Sequence, residues 1–261
     1  MRRWTDIAIT AARWTLGIFV LIALLLLGLL RTPPGQSVLA EAVKAITGDT
    51  VTVQGLRGSL PDDLHADMVE IADKNGVWLR AENVSLDWDA LAALNNQILI
   101  RRVTASRIAM LRMPLPSEES NGTTPEIEVG ALALPRIEIA QPVVGHAALL
   151  GAQGSLRYIS VHQAQANLAV ARLDSPDRYR IDGAIDHDVA NGTVSIDESA
   201  RGILAGFIGL PGLGPIHLSA QAAGDANANT IAFRLSAGAL TASGQGTLAL
   251  ATQSADIDFS A

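Results

Sequence analysis

Across residues 51–259 the sequence repeats one pattern: short runs in which apolar and polar residues alternate, broken by clusters of Gly, Asn, Asp and Pro. A period of two sends every second side chain to the same face of an extended strand, so one face is greasy and the other wet. Val51 and Val53 begin the series, and Val69 and Ile71 continue it. Asp73-Lys74-Asn75-Gly76 then supplies a turn whose Asn-Gly pair is a strong hairpin signal. Val77 and Leu79 lead back out. Val84, Leu86 and Trp88 share a face opposite Ser85, Asp87 and Asp89. Asp89 is placed to cap one helical turn over residues 90–94, and Asn95-Asn96 turns the chain before Ile98 and Ile100. The alternation resumes at Ile137 and Ile139, at Tyr179, Ile181 and Ile185, and at Val194 and Ile196. Ile216 and Leu218, then Ile231, Phe233 and Leu235, then Ile257 and Phe259 repeat it. Residues 198–208 read as a short helix, stopped by the Gly- and Pro-rich residues 209–215.

A long series of short strands fits a sandwich, a barrel, a solenoid or an open curved sheet. Side-chain size chooses among them. A two-layer sandwich needs bulky residues to fill a gap of about 10 Å between sheets. Here aromatics are 4% of the chain, and many inward positions are Ala, Val or Gly. The expectation is therefore a mainly β chain: an elongated, curved, meandering antiparallel sheet with a groove and a few short helices. The final alternation, through Phe259, has no turn or polar tail after it, which reads as part of a longer second segment.

A different pattern precedes the strands. Residues 14–30 form an uncharged apolar run, about 26 Å long as a helix, at the short end of what crosses a bilayer. Trp14, Leu16, Ile18, Phe19, Leu21, Leu25 and Leu30 are its membrane-contacting candidates. Arg2, Arg3 and Arg13 lie before the run, which keeps residues 1–13 cytoplasmic by the positive-inside rule. A cleaved signal peptide has a shorter core followed closely by a small-x-small site, whereas Arg31-Thr32-Pro33-Pro34-Gly35 follows here. The reading is an uncleaved single-pass anchor. Val38, Leu39, Ala42, Val43 and Ile46 then fall at helical spacing over residues 36–47, before Gly48. The far side divides into a first β segment, residues 31–113, a polar linker, residues 114–125, and a second β segment, residues 126–261.

The net charge of −7 argues against nucleic acid as a partner, because phosphate binding needs a basic face. No Cys is present, so thiolate and disulfide chemistry are closed to the chain. Five His are scattered, and Asp186-His187-Asp188 is the one cluster with metal-ligand types. Its place between a strand and a turn reads as a solvated loop, since a metal site needs further converging ligands. There is no Gly-x-Ser-x-Gly elbow, and residues 209–214 lack the Gly-Lys-Ser/Thr of a phosphate loop. Asn121-Gly122-Thr123 and Asn191-Gly192-Thr193 fit a glycosylation pattern but read as turns. No catalytic residue, metal site or cofactor follows from the sequence, and the reading is a non-enzyme.

The anchor followed by Thr32-Pro33-Pro34-Gly35 is joined by Val53-Gln54-Gly55-Leu56-Arg57-Gly58-Ser59-Leu60 and by Ile71-Ala72-Asp73-Lys74-Asn75-Gly76-Val77-Trp78-Leu79. Val84-Ser85-Leu86-Asp87-Trp88, the stretch at residues 105–114 and the stretch at residues 202–212 complete the set. In this order they resemble the N-terminal region of the TamB family, the inner-membrane subunits of the translocation and assembly module, related to AsmA-like and bridge-type lipid carriers. The resemblance spans nearly the whole chain. It implies a bacterial inner-membrane protein with its bulk in the periplasm and a hydrophobic β groove. It also implies roles in outer-membrane protein assembly, protein secretion and phospholipid transport. The implied partners are the inner membrane, phospholipid and an outer-membrane barrel of the TamA type. Family members are far longer, and the C-terminal domain that engages the barrel has no counterpart in these residues. Val84, Leu86, Trp88, Ile98 and Ile100 are the candidate groove residues, with core packing as the competing role for Trp88. The alternative function is a non-catalytic tether holding a further C-terminal domain near its partner.

Overall fold

The computed structural model describes residues 50–58, 62–89, 91–95, 97–115, 126–160, 162–187, 189–207, 209, 213–224, 229–249 and 254–260. The anchor at residues 14–30, the tail before it, the helix read over residues 36–47 and most of the linker lie outside them. Among the described residues no helix is long and apolar enough to cross a membrane.

Fourteen strands form one sheet. The first five are β1 (Val51–Gln54), β2 (Asp63–Asp73), β3 (Gly76–Asp89), β4 (Gln97–Thr104) and β5 (Arg107–Met110). β6 (Glu126–Ile139), β7 (Ala148–Ser160), β8 (Gln163–Arg172), β9 (Arg178–Asp186) and β10 (Val189–Glu198) follow. The last four are β11 (Ile216–Gly224), β12 (Asn229–Ala237), β13 (Leu240–Ala249) and β14 (Ser254–Ser260). Two short helices interrupt the series, α1 (Gln141–Val144) and α2 (Ile203–Phe207). The strands lie side by side in chain order, so the meander read from the alternation is the observed architecture. Nearly every pairing is antiparallel.

One step departs from the meander. β4 and β5 both pair with β3 in a single register, Ser85 opposite Thr104 and Glu82 opposite Arg107. They are one long strand broken at Ala105-Ser106. Both then pair with β6 in parallel, Gln97 opposite Glu126 and Met110 opposite Ile139. Parallel pairing requires the chain to return to the starting end between Met110 and Glu126. The strands on either side of the linker thus belong to the same sheet.

The break has a local cause. Asn83 has φ 48°, and its amide donates to Ser106 Oγ at 2.9 Å while Ser106 N donates to Glu82 O at 3.0 Å. The buried positions of β3 are Leu86 and Trp88 on one side of Asn83 and Trp78 and Ala81 on the other, so strict alternation breaks along the strand. β6 does the same through irregularities between Val129 and Leu132 and between Leu134 and Ile137. Bulges of this kind bend and twist a strand. They let β1–β6 curl while keeping apolar residues on the inner side. The result is a closed cluster in which Trp88, Ile98, Ile100, Ile127 and Val51 are each at most 2% exposed. On the outer side ion pairs lace the strands: Arg80 with Glu70, Arg101 with Asp87, Arg57 with Asp67, and Arg107 between Glu82 and Glu138.

Local turn chemistry follows the sequence. Asp73 Oδ1 accepts from Asn75 N at 2.7 Å in the β2–β3 hairpin. Asp89 Oδ1 accepts from Leu91 N and Ala92 N and caps a 3₁₀ turn, Ala92–Asn95, close to the helical turn expected there. The short helix expected over residues 198–208 is α2. Asn191-Gly192, read as a turn, instead lies inside β10, where Gly192 pairs with Gly183 of β9. The glycine answers a close approach: a Cβ on Gly192 would stand 2.5 Å from Gly183 Cα.

Candidate apolar groove

The pairing registers of β6–β14 put apolar residues in rows that cross the whole region. From Leu132 on β6 one row passes to Gly154, Leu168 and Ile181. It continues through Val194, Ala220 and Phe233 to Gly244 and Phe259. The neighbouring row runs from Leu134 through Ala152, Val170, Tyr179 and Ile196 to Leu218, Leu235 and Ala242. The positions between them belong to the other face. There Gln153, Ala169, Arg180, Ser195, Ser219, Arg234 and Ser243 stand in register. One face of a nine-strand sheet is therefore apolar and the other polar, the alternation that a half-wet antiparallel sheet shows.

No second layer covers the apolar face among the described residues. Ile181 is 42% exposed and Phe259 is 65% exposed, while Leu168, Val194, Ala220 and Phe233 are half-buried. Their shielding comes from neighbours in the same sheet. A Cβ on Gly154 would come within 2.1 Å of Asn167 O, so the adjoining strand leans over this face. Gly244 lies under Phe233, whose ring would be 2.5 Å from a Cβ there. Missing side chains at such positions let the strands curve toward one another. At its β6–β7 side the groove joins the closed cluster, because Leu132 and Leu156 pack against it.

One end of the groove is plugged. α1 follows β6, and α2 lies between β10 and β11, at the same end of the sheet. Val143 and Val144 pack with Ile139, Leu150 and Ile203, and Ala205 packs with Ile216 and Ala237. A Cβ on Gly206 would meet Val144 O at 2.2 Å, so only glycine lets the two helices touch this closely. Buried acids hold the plug. Glu198, 1% exposed, accepts from Leu204 N at 2.8 Å and Ala205 N at 3.1 Å, and Tyr179 Oη donates to it at 2.5 Å. Burial, reinforced by this carboxylate, pushes the Tyr179 phenol well above its ordinary range. Asp177, also 1% exposed, accepts from Ser199 N at 2.9 Å and Ser199 Oγ at 2.6 Å, and Arg172 lies 3.4 Å away. Burial works against its charge, but these donors prevail and hold its pKa low.

The residues singled out from the sequence divide by location. Leu86, Trp88, Ile98 and Ile100 are brought together, but inside the closed cluster, where each is at most 5% exposed. Val84 is half-buried beside them. Packed in this way they offer no open lining. The open lining is on β6–β14, and of the residues read as strand positions Ile181, Val194, Ile196, Leu218, Phe233 and Leu235 belong to it. β7, β8 and β13 were not legible as strands, though their Ala-, Gly- and Gln-rich alternation was a faint signal. Asp186 and His187 form an exposed pair 2.7 Å apart in the β9–β10 turn. Among the described residues no three His, Asp or Glu side chains converge as a metal site would need. A hollow of about 590 Å³ lies over β7–β10, with Gln153, Arg178, Arg180, Ser195 and Asp197 in its wall.

No known protein family, curated protein or solved structure matches the chain.

Proposed function

We propose that the chain is an anchored, non-catalytic carrier whose open apolar face holds acyl chains or extended apolar polypeptide, in the manner of the TamB-type proteins it resembles. In this reading residues 14–30 fix it in a bacterial inner membrane and the sheet stands in the periplasm. It serves phospholipid movement and outer-membrane protein assembly with a barrel partner. The observation that carries the proposal is the set of apolar rows from β6 to β14 with no layer over them among the described residues. Each CH₂ withdrawn from water onto such a face contributes about 0.8 kcal/mol, so a bound chain needs no specific polar contact. A polar opposite face keeps the sheet wetted from behind.

The test uses a photoreactive phenylalanine at Leu168, Leu218 or Phe233, with Leu86 and Trp88 as buried comparators. Full-length protein in its membrane is irradiated, and adducts are identified by mass spectrometry. Phospholipid or polypeptide adducts at the first three sites support the carrier. Absence of both from all three sites, in protein that remains folded, leaves only the tether.

A further inference from the structure

The exposed apolar side chains are not spread evenly over the molecule. The last row of pairing at the plugged end passes through Ile71, Leu79, Met110 and Ile139, and on through Glu198, Ile216 and Ala237. Beyond that row project Leu111, Met113, Leu115, Leu173, Phe207 and Leu240, each between 36% and 54% exposed. Leu111, Met113 and Leu115 follow β5, Leu173 is in the β8–β9 turn, Phe207 is on α2, and Leu240 opens β13. At the opposite end, Leu91 is the one large apolar residue comparably exposed among the described residues.

Charge is segregated in the same sense. At the apolar end Asp73 is held by Arg112, Asp174 by Arg172, Asp177 by Ser199 and Glu198 by Tyr179, and the exposed Asp197 lies 3.1 Å from His217 Nδ1. Lys74 and Arg201 are exposed there, with no ion pair among the described residues. The other end carries Asp62, Asp63, Asp89, Glu126 and Asp186 at its turns. The described chain also enters the sheet at the apolar end, where Thr50 O accepts from Ala72 N at 2.7 Å. The apolar run at residues 14–30 lies shortly upstream of that point.

We infer that this end is a lipid-docking rim that seats the plugged end of the groove on a bilayer surface. Apolar side chains enter the headgroup boundary, and the two free cations face anionic lipid. Most carboxylates at the rim are buried or paired with Arg, whereas the exposed Asp62, Asp63 and Asp186 at the other end are repelled by anionic lipid. The inference shares with the proposed function only the membrane anchor, and it holds whether or not the groove carries cargo.

The absence of native Cys allows a clean test. Leu173→Cys, Phe207→Cys, Leu240→Cys and Leu91→Cys are made singly in the full chain and labelled with an environment-sensitive fluorophore. The proteins are reconstituted in vesicles of phosphatidylethanolamine and phosphatidylglycerol, with or without acyl-chain nitroxide lipid. The expected result is a blue shift and loss of most emission to the nitroxide at 173, 207 and 240, with neither at 91. Equal quenching at 91, or none at the other three, overturns the rim. Leu173→Glu, Phe207→Glu and Leu240→Glu are then combined, with the probe at Leu115→Cys. Loss of quenching there with an unchanged circular dichroism spectrum supports the rim, and retained quenching overturns it. Crosslinks between copies through Phe207→Cys, without quenching by lipid, replace the membrane with a second copy as the occupant.

Discussion

Trp88 and Phe259 are both aromatic side chains on the apolar side of the same sheet, yet the first is 0% exposed and the second 65%. The comparison holds for their surroundings. β1–β6 bury Ile98, Ile100, Ile127 and Val51 by curling over their own face, with bulges at the bends and ion pairs along the outside. β7–β14 keep an alternating register with one irregularity, between Tyr158 and Ser160, replace many inner side chains with Gly or Ala, and stay open. A single sheet can close its apolar face only where bulky residues and bulges coincide. Where small residues take their place, the apolar face stays open.

The largest effect is expected in the closed half. Trp88→Ala removes a fully enclosed indole and costs about 3–5 kcal/mol, read as a fall in the urea midpoint for β1–β6 protection by hydrogen exchange. A loss under about 1 kcal/mol would mean the cluster is less tightly filled than its burial indicates. The joint with the plug comes next. Asp177→Asn weakens the hold on Ser199 and costs about 1–3 kcal/mol, with faster amide exchange concentrated in β9, β10 and α2. Uniform acceleration over the whole sheet would instead show that the two halves unfold as one.

How much of this contrast could be read beforehand depended on side-chain contrast. Val84-Ser85-Leu86-Asp87-Trp88 announces a strand because large apolar and polar residues alternate. β13, with Thr, Ala, Ser, Gly and Gln at successive positions, announces nothing, since its inner positions are small. The strand becomes visible only through its register with Phe233 and Leu235. The sequence showed Trp88 to be on an apolar face but not whether that face is sealed. Sealing depends on the left-handed backbone at Asn83 and on the parallel return to β6, both set by tertiary pairing. The groove was thus assigned to the half with the largest apolar residues, whereas large residues close a sheet and small ones leave it open. α1 was missed because Gln141-Pro142-Val143-Val144 is a single turn, with Pro at its start and Gly145 in the left-handed conformation at its end.

A smaller effect is read by pH. Arg107, and then Arg136, hold the Glu138 carboxyl down to about 2 in the folded protein. A depressed acid contributes stability above its unfolded pKa and loses it as pH falls through the folded value. Stability of the β1–β6 half should therefore decline from about pH 4.5 toward 2, and Glu138→Gln should flatten that slope in urea titrations. An unchanged slope would place the acid sensitivity elsewhere. The smallest effect belongs to the open face. Ile181→Ser should alter stability by no more than about 0.5 kcal/mol, while reducing phospholipid recovered with the purified protein. A large destabilisation would reveal that Ile181 is covered.

The contrast between sealed and open halves is tested most directly by thiol accessibility. Ile181→Cys and Ile257→Cys are compared with Ile98→Cys and Ile100→Cys in delipidated full-length protein treated with a maleimide. The expected result is prompt reaction at 181 and 257, slowed when phospholipid is restored, and reaction at 98 and 100 only on unfolding. Protection at 181 and 257 as strong as at 98 and 100, without lipid, would mean that something covers the face and that no trough exists.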